Sequence, residues 1–116
     1  MSFYLQRRQN KYHAVKQTFE GKHYDSKKEA AKAAELTMLK NGGAIKDWEA
    51  HVKLPLYVNG VHLCDYILDF RVYNFDGSVE HIEIKSPITI TPVFKIKWRL
   101  AQILYPDPNI KWVIET

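Results

Sequence analysis

Asp69, Glu83 and Lys85 are the residues of this chain whose types and spacing could do chemistry together. Side chains alternate faces along a strand, so in Ile82-Glu83-Ile84-Lys85 the Glu and Lys share one face and the isoleucines the other. On the preceding strand, Leu68, Phe70 and Val72 point one way, and Asp69, Arg71 and Tyr73 the other. A three-residue loop Phe75-Asp76-Gly77, with Gly77 left-handed, would set Asn74 against Ser78. Counting back from that pair brings Asp69 opposite Glu83, with Cβ atoms about 5 Å apart. Two carboxylates so close repel unless something positive sits between them. A hard divalent cation such as Mg²⁺, which takes oxygen ligands at about 2.1 Å, suits that position. Lys85 beside them would place an ammonium where a water or a phosphate oxygen would lie. Glu-x-Lys alone is also what a solvated strand face looks like; the tight turn and the carboxylate at the pairing position set this one apart.

The elements that must hold these residues can be read from the surrounding sequence. Residues 12–25 carry a Glu20-Gly21 turn between short aromatic-rich segments, which predicts a small hairpin. Ser26-Lys27-Lys28-Glu29 has capping-box spacing and opens a helix through Ala30, Ala31, Ala33, Ala34, Leu36, Met38 and Leu39, closed by Asn41-Gly42-Gly43. Strands are expected over 45–58 and 61–73, joined by Asn59-Gly60 in a type I′ turn, and over 79–85. Thr91 as N-cap and Pro92 in the first turn begin a second helix that Pro106 stops. Residues 110–115 alternate as a last strand. The order ββ-α-βββ-α-β gives an α/β fold, a mixed central sheet flanked by two main helices. On the second helix, 100° per residue predicts an apolar stripe of Val93, Ile96, Leu100, Ile103 and Leu104, with Lys95, Arg99 and Gln102 opposite and Lys97 inside the stripe.

Composition bounds the answer without naming a function. The 116 residues are 46% hydrophobic and 26% charged, the profile of one globular domain spanning 1–116. Three Trp, seven Tyr and five Phe are too much apolar area for an unfolded chain. No run approaches the roughly 20 apolar residues of a membrane span. The opening MSFYLQRRQNKY has no apolar core of signal-peptide length, so a cytoplasmic location is expected. A single cysteine, Cys64, excludes an internal disulfide and fits a reducing compartment. The net charge is +4, unevenly spread: residues 1–53 hold 11 basic and 6 acidic residues, and 54–116 hold 6 and 7. The first half could face a polyanion, although a basic excess of this size is also common in proteins that touch none.

The ordered series FEGKHYDSKKEA, ELTMLKNGGAIKDWE, LDFRVY, IEIKSP and FKIKWRLAQILYPD, from about residue 22 to 116, resembles the PD-(D/E)-x-K nuclease superfamily. Within it, the chain is most similar to small phage-encoded endonucleases of the Holliday-junction-resolvase type. Leu68 stands where the superfamily's name places proline, and Ser86-Pro87 follows Lys85 in place of a glycine. The resemblance implies a restriction-endonuclease-like sheet and assigns the metal to Asp69 and Glu83, with the carbonyl of Ile84 as a further ligand. Lys85 would orient or deprotonate the attacking water and steady the charge at phosphorus. An acidic residue of the first helix would complete the site; Glu29 matches, with Glu35 two turns on as the alternative, and Glu29 could equally serve only the capping box.

From this follows the expected activity: a Mg²⁺-dependent DNA endonuclease, with Mn²⁺ substituting, that resolves Holliday junctions or other branched DNA in phage recombination. Paired nicks would require a homodimer, and a phage-encoded chain would act in the cytoplasm of its host cell. The alternatives are a nicking or processing nuclease for single-stranded or flapped DNA, and a non-catalytic DNA-binding module that keeps the fold. Lys95 and Arg99 would contact backbone phosphates, Lys97 would either snorkel or lie near the scissile phosphate, and Arg7, Arg8 and Lys11 would form a DNA-gripping arm within residues 1–11 or a plain solvated tail. His62, Cys64 and Asp65 lack the second cluster a zinc site needs. His81, on the face of Glu83, is expected to be solvated or at the rim of the site, and Trp48, Trp98 and Trp112 to be core.

Overall fold

The computed structural model describes residues 26–116 in full and the backbone of 17–19 and 22–24. Chain contacts divide it into two compact units, Met1–Met38 and Leu39–Thr116. In the first, β1 (Gln17–Phe19) and β2 (Lys22–Tyr24) pair antiparallel with Gln17 opposite Tyr24. The expected Glu20-Gly21 turn lies outside the described residues. Helix α1 (Lys27–Asn41) starts where the capping residues place it: the Ser26 hydroxyl accepts the Glu29 N–H at 3.2 Å. It buries Ala33 and Leu36. Its end lies in the second unit, where Gly43, at φ 79°, lets the chain fold back so that Ala44 donates to the Leu39 carbonyl at 2.8 Å.

Four strands form the sheet of the second unit: β3 (Asp47–Val58), β4 (Val61–Tyr73), β5 (Val79–Ile84) and β6 (Ile110–Glu115), in that spatial order. The first three run antiparallel, and β6 returns parallel to β5. A parallel return needs a crossover, which α2 (Pro92–Leu104) supplies after a 3₁₀ turn over Pro87–Thr89. Asn59 at φ 51° and Gly60 at φ 80° make the tight turn between β3 and β4. The sheet is thus mixed; the described residues form two α-helices, neither long and apolar enough to cross a membrane.

Helix α2 begins as its sequence dictates, with the Thr91 hydroxyl accepting the Phe94 N–H at 3.1 Å. Its buried face differs from the expected stripe. Phe94 and Ala101 are buried against Leu54, Leu56, Tyr66 and Leu68, with Trp98, Leu100, Leu104 and Trp112 packed around them, whereas Val93, Ile96 and Ile103 are exposed. Both sets recur at helical spacing, so periodicity does not choose between them. The inward set carries two large aromatic rings, and Ala101 permits a close approach of helix to sheet. Trp98 and Trp112 meet edge to face at 5.4 Å, core as expected. Trp48 packs on buried Phe70.

Candidate metal and phosphate site

The loop after β4 fixes the geometry. The Asn74 N–H donates to the Ser78 carbonyl at 2.9 Å, and the Gly77 N–H to the Asn74 carbonyl at 3.2 Å, with Gly77 at φ 90°. Asp76 Oδ1 accepts from the Ser78 N–H at 2.9 Å and from its hydroxyl at 2.6 Å. From this turn the register runs Tyr73 opposite Val79, Arg71 opposite His81 and Phe70 opposite Ile82. Continued by one residue, it sets Asp69 across from Glu83. At that point the ladder is taken over by a side chain, for Asp69 Oδ2 accepts the Ile84 N–H at 2.8 Å.

Glu83 is only 4% exposed. The Tyr66 hydroxyl donates to its Oε1, and the Lys85 ammonium lies 3.6 Å from its Oε2. Lys85 Nζ also sits 4.7 Å from the centroid of the Phe94 ring, so α2 supports the lysine from beneath. Burial, and then the charge of Glu83, push the Asp69 carboxyl up to about 7. Burial likewise raises Glu83, against the opposing pull of the Tyr66 hydroxyl and Lys85. Tyr66 itself is held well above the ordinary phenol range by burial and by both carboxylates. Two carboxylates that resist ionisation together, with Lys85 their near cation, form a donor set that a hard divalent ion would relieve. Asp69 Oδ1 and Glu83 Oε2 are the oxygens not engaged by Ile84 and Tyr66, and the Ile84 carbonyl belongs to the same strand end.

Beside the carboxylates runs a second polar chain. Arg71 Nε donates to His81 Nε2 at 3.1 Å, its guanidinium lies 3.5 Å from Glu49, and the Tyr73 hydroxyl donates to Glu49 at 2.9 Å. His81 is therefore neither solvated nor at a rim: it is 1% exposed and stacks edge to face on Trp112 at 4.4 Å. The reason is the parallel pairing of β5 with β6, which sets Trp112 beside His81. Burial and the Arg71 charge lower its imidazole to about 4, so it is neutral at physiological pH. With Nε2 accepting, the proton resides on Nδ1, which has no hydrogen-bond partner among the described residues.

Glu29 lies in the first turn of α1, its backbone capped by Ser26. Glu35 contacts Lys32 at 3.4 Å on the same helix. Among the described residues, no group of three His, Cys, Asp or Glu side chains gathers in the manner of a metal cluster; Asp69 and Glu83 are a pair. Lys95 and Arg99 are exposed on α2, and the Lys97 ammonium is part-buried, donating to the Asp65 carbonyl at 3.4 Å. That contact ties α2 to β4 beside Tyr66. Arg7, Arg8 and Lys11 lie outside the described residues. His62 and Asp65 meet at 2.8 Å near the tip of the β3–β4 hairpin.

A family model described as "Protein of unknown function (DUF1064)" matches residues 9–116, nearly the whole chain. The chain belongs to the DUF1064 family. No curated protein and no solved structure matches it. In this DUF1064 chain the sequence pattern overlooked two contributors to the site, Tyr66 and Phe94. Tyr66 left only a partial trace: a tyrosine inside a hydrophobic strand needs an acceptor for its hydroxyl, but nothing in the strand pattern names Glu83 as that acceptor. Phe94 left none, because its contact with Lys85 depends on how α2 crosses the sheet.

Proposed function

We propose that this chain is a divalent-metal-dependent DNA endonuclease that hydrolyses phosphodiester bonds, selective for branched DNA such as Holliday junctions and acting as a homodimer. The observation that carries the reading is the placement of Asp69 against the buried Glu83, with Lys85 3.6 Å from Glu83. Two buried carboxylates, both raised by desolvation and one of them, Asp69, raised further by the charge of the other, are suitable cation ligands. Asp69 Oδ1, Glu83 Oε2 and the Ile84 carbonyl would hold Mg²⁺, or Mn²⁺ in its place. Bound there, the ion would lower the pKa of a coordinated water and neutralise phosphate charge.

The chain's own groups do the rest. Lys85, steadied on the Phe94 ring, is placed to orient the attacking water or to hold a phosphate oxygen as charge builds on it. The Ile84 N–H fixes Asp69 Oδ2, and Oδ1 would be the oxygen offered to the cation. Lys95 and Arg99, exposed on α2, can meet backbone phosphates, which positions DNA without reading its sequence. Glu29 remains a proposed third carboxylate. Selectivity for branched DNA would rest on DNA shape and dimer geometry.

The test is incubation with four-way junction, flap, duplex and single-stranded DNA in Mg²⁺, Mn²⁺ or EDTA. Cleavage of junctions with either metal, lost in EDTA and in Asp69→Asn or Lys85→Ala, is the expected result. Cleavage that survives those substitutions overturns the mechanism. Equal cutting of duplex removes the junction preference, and a preference for flaps or single strands favours a processing nuclease. Binding with no cleavage in any metal favours a non-catalytic DNA-binding module.

A further inference from the structure

The fold spends a buried tyrosine hydroxyl on one oxygen of Glu83. Tyr66 is 5% exposed, and its ring packs against Phe94 at 6.4 Å and Trp98 at 6.1 Å, both on α2. Strict alternation along β4 would turn Tyr66 to the face of Leu68 and Phe70, away from Asp69 and its partner Glu83. The hydroxyl nevertheless donates to Glu83 Oε1. Ala50 lies opposite Phe70, Val52 opposite Leu68 and Leu54 opposite Tyr66 in one unbroken register, while His51, across from Asp69, carries φ 55°.

We propose that Tyr66 is a positioning residue for the metal site: its hydroxyl holds Glu83 in the one rotamer that turns Oε2 toward Lys85 and the cation. The proposal rests on the metal-dependent reading above and adds to it the group that orients the ligand. A glutamate has three side-chain torsions, and without an anchor it must be ordered by the cation itself, which weakens binding. The anchor is in turn fixed from three sides. Phe94 and Trp98 pack on the ring, and Lys97 bonds the carbonyl of Asp65, the residue before Tyr66. Helix α2 thus serves the site through Tyr66 as well as through the ring beneath Lys85.

The experiment is titration calorimetry of Mn²⁺ into the intact metal-free chain, comparing wild type with Tyr66→Phe, which keeps the ring on Phe94 and Trp98. Tyr66→Met serves as a second variant that fills the same space, and Asp69→Asn marks the site. Mn²⁺ affinity is expected to fall about 10-fold or more in both Tyr66 variants and to be lost in Asp69→Asn. Thermal unfolding of the metal-free proteins separates positioning from structure, since a purely structural role lowers the melting temperature and leaves Mn²⁺ affinity unchanged. Unchanged affinity in a folded Tyr66 variant overturns the proposal while leaving the metal reading standing. A wild type that binds no Mn²⁺ overturns both.

Discussion

The Lys85 ammonium lies 4.7 Å above the Phe94 ring and 3.6 Å from Glu83 Oε2, so one lysine joins the buried carboxylate to the helix that covers it. The two neighbours contribute differently. Phe94 is 7% exposed and central to the core, and Phe94→Ala should cost about 3–5 kcal/mol in urea unfolding. Lys85→Met keeps the aliphatic stem on the ring and gives up a partly exposed ammonium, so stability should change by about 1 kcal/mol or less. On the nuclease reading that variant is folded and inactive. If both substitutions lower stability equally, Lys85 is a structural strut and its role in hydrolysis loses its basis.

A cation that relieves the Asp69–Glu83 repulsion must stabilise the fold by mass action. At Mn²⁺ about 100-fold above its dissociation constant, the gain is about 2.7 kcal/mol. For a chain of this size that is a rise in melting temperature of several degrees. Calorimetry with Mn²⁺ and with EDTA should show it in wild type and not in Asp69→Asn. An equal shift in the variant would place the ion elsewhere.

Register depends on Gly77, whose φ of 90° suits residues without a side chain. A Cβ there meets no atom within 4 Å, so the cost of Gly77→Ala is conformational rather than steric, about 1 kcal/mol. Asp76→Ala removes the acceptor of two Ser78 bonds and should cost a similar amount. Chemical denaturation measures both. A neutral or stabilising Gly77→Ala would mean that the turn accommodates another conformation and that register is set by strand packing instead.

Much of this frame was legible because the signals are local. Asn59-Gly60 and Phe75-Asp76-Gly77 specify their turns through backbone conformations few residues tolerate, and two fixed turns carry the register to Asp69 and Glu83 by counting. Thr91 and Pro92 mark the start of α2 in the same way. What depends on packing was not legible. Phe94-Trp98-Ala101 and Val93-Ile96-Ile103 are equally good helical stripes, and only the sheet decides which is buried. His81 sits on a polar-looking strand face, yet Trp112 arrives from a strand about thirty residues further on and closes over it. The Tyr66–Glu83 contact is hidden for a third reason: strict alternation along the strand does not lead from Tyr66 to Glu83.

Asp69 and His81 titrate in opposition, and this gives the most discriminating pH test. Asp69 is pushed up to about 7 from an unfolded value of 3.8, so its stabilising contribution is complete below that value and is lost as pH rises toward 7. Glu83 moves in the same direction. His81 is lowered to about 4 from 6.5, so its contribution is complete above 6.5 and is lost as pH falls toward 4. Each effect is on the order of 3 kcal/mol, enough for the two to mask each other in the wild type. In EDTA, between pH 4.5 and 7.5 or so, Asp69→Asn should therefore gain stability relative to wild type as pH rises. His81→Gln, which can still accept from Arg71, should lose stability relative to wild type over the same range. Melting temperatures across the range measure both, and two variant profiles that run parallel to wild type would mean that neither group is held away from its ordinary pKa by the fold.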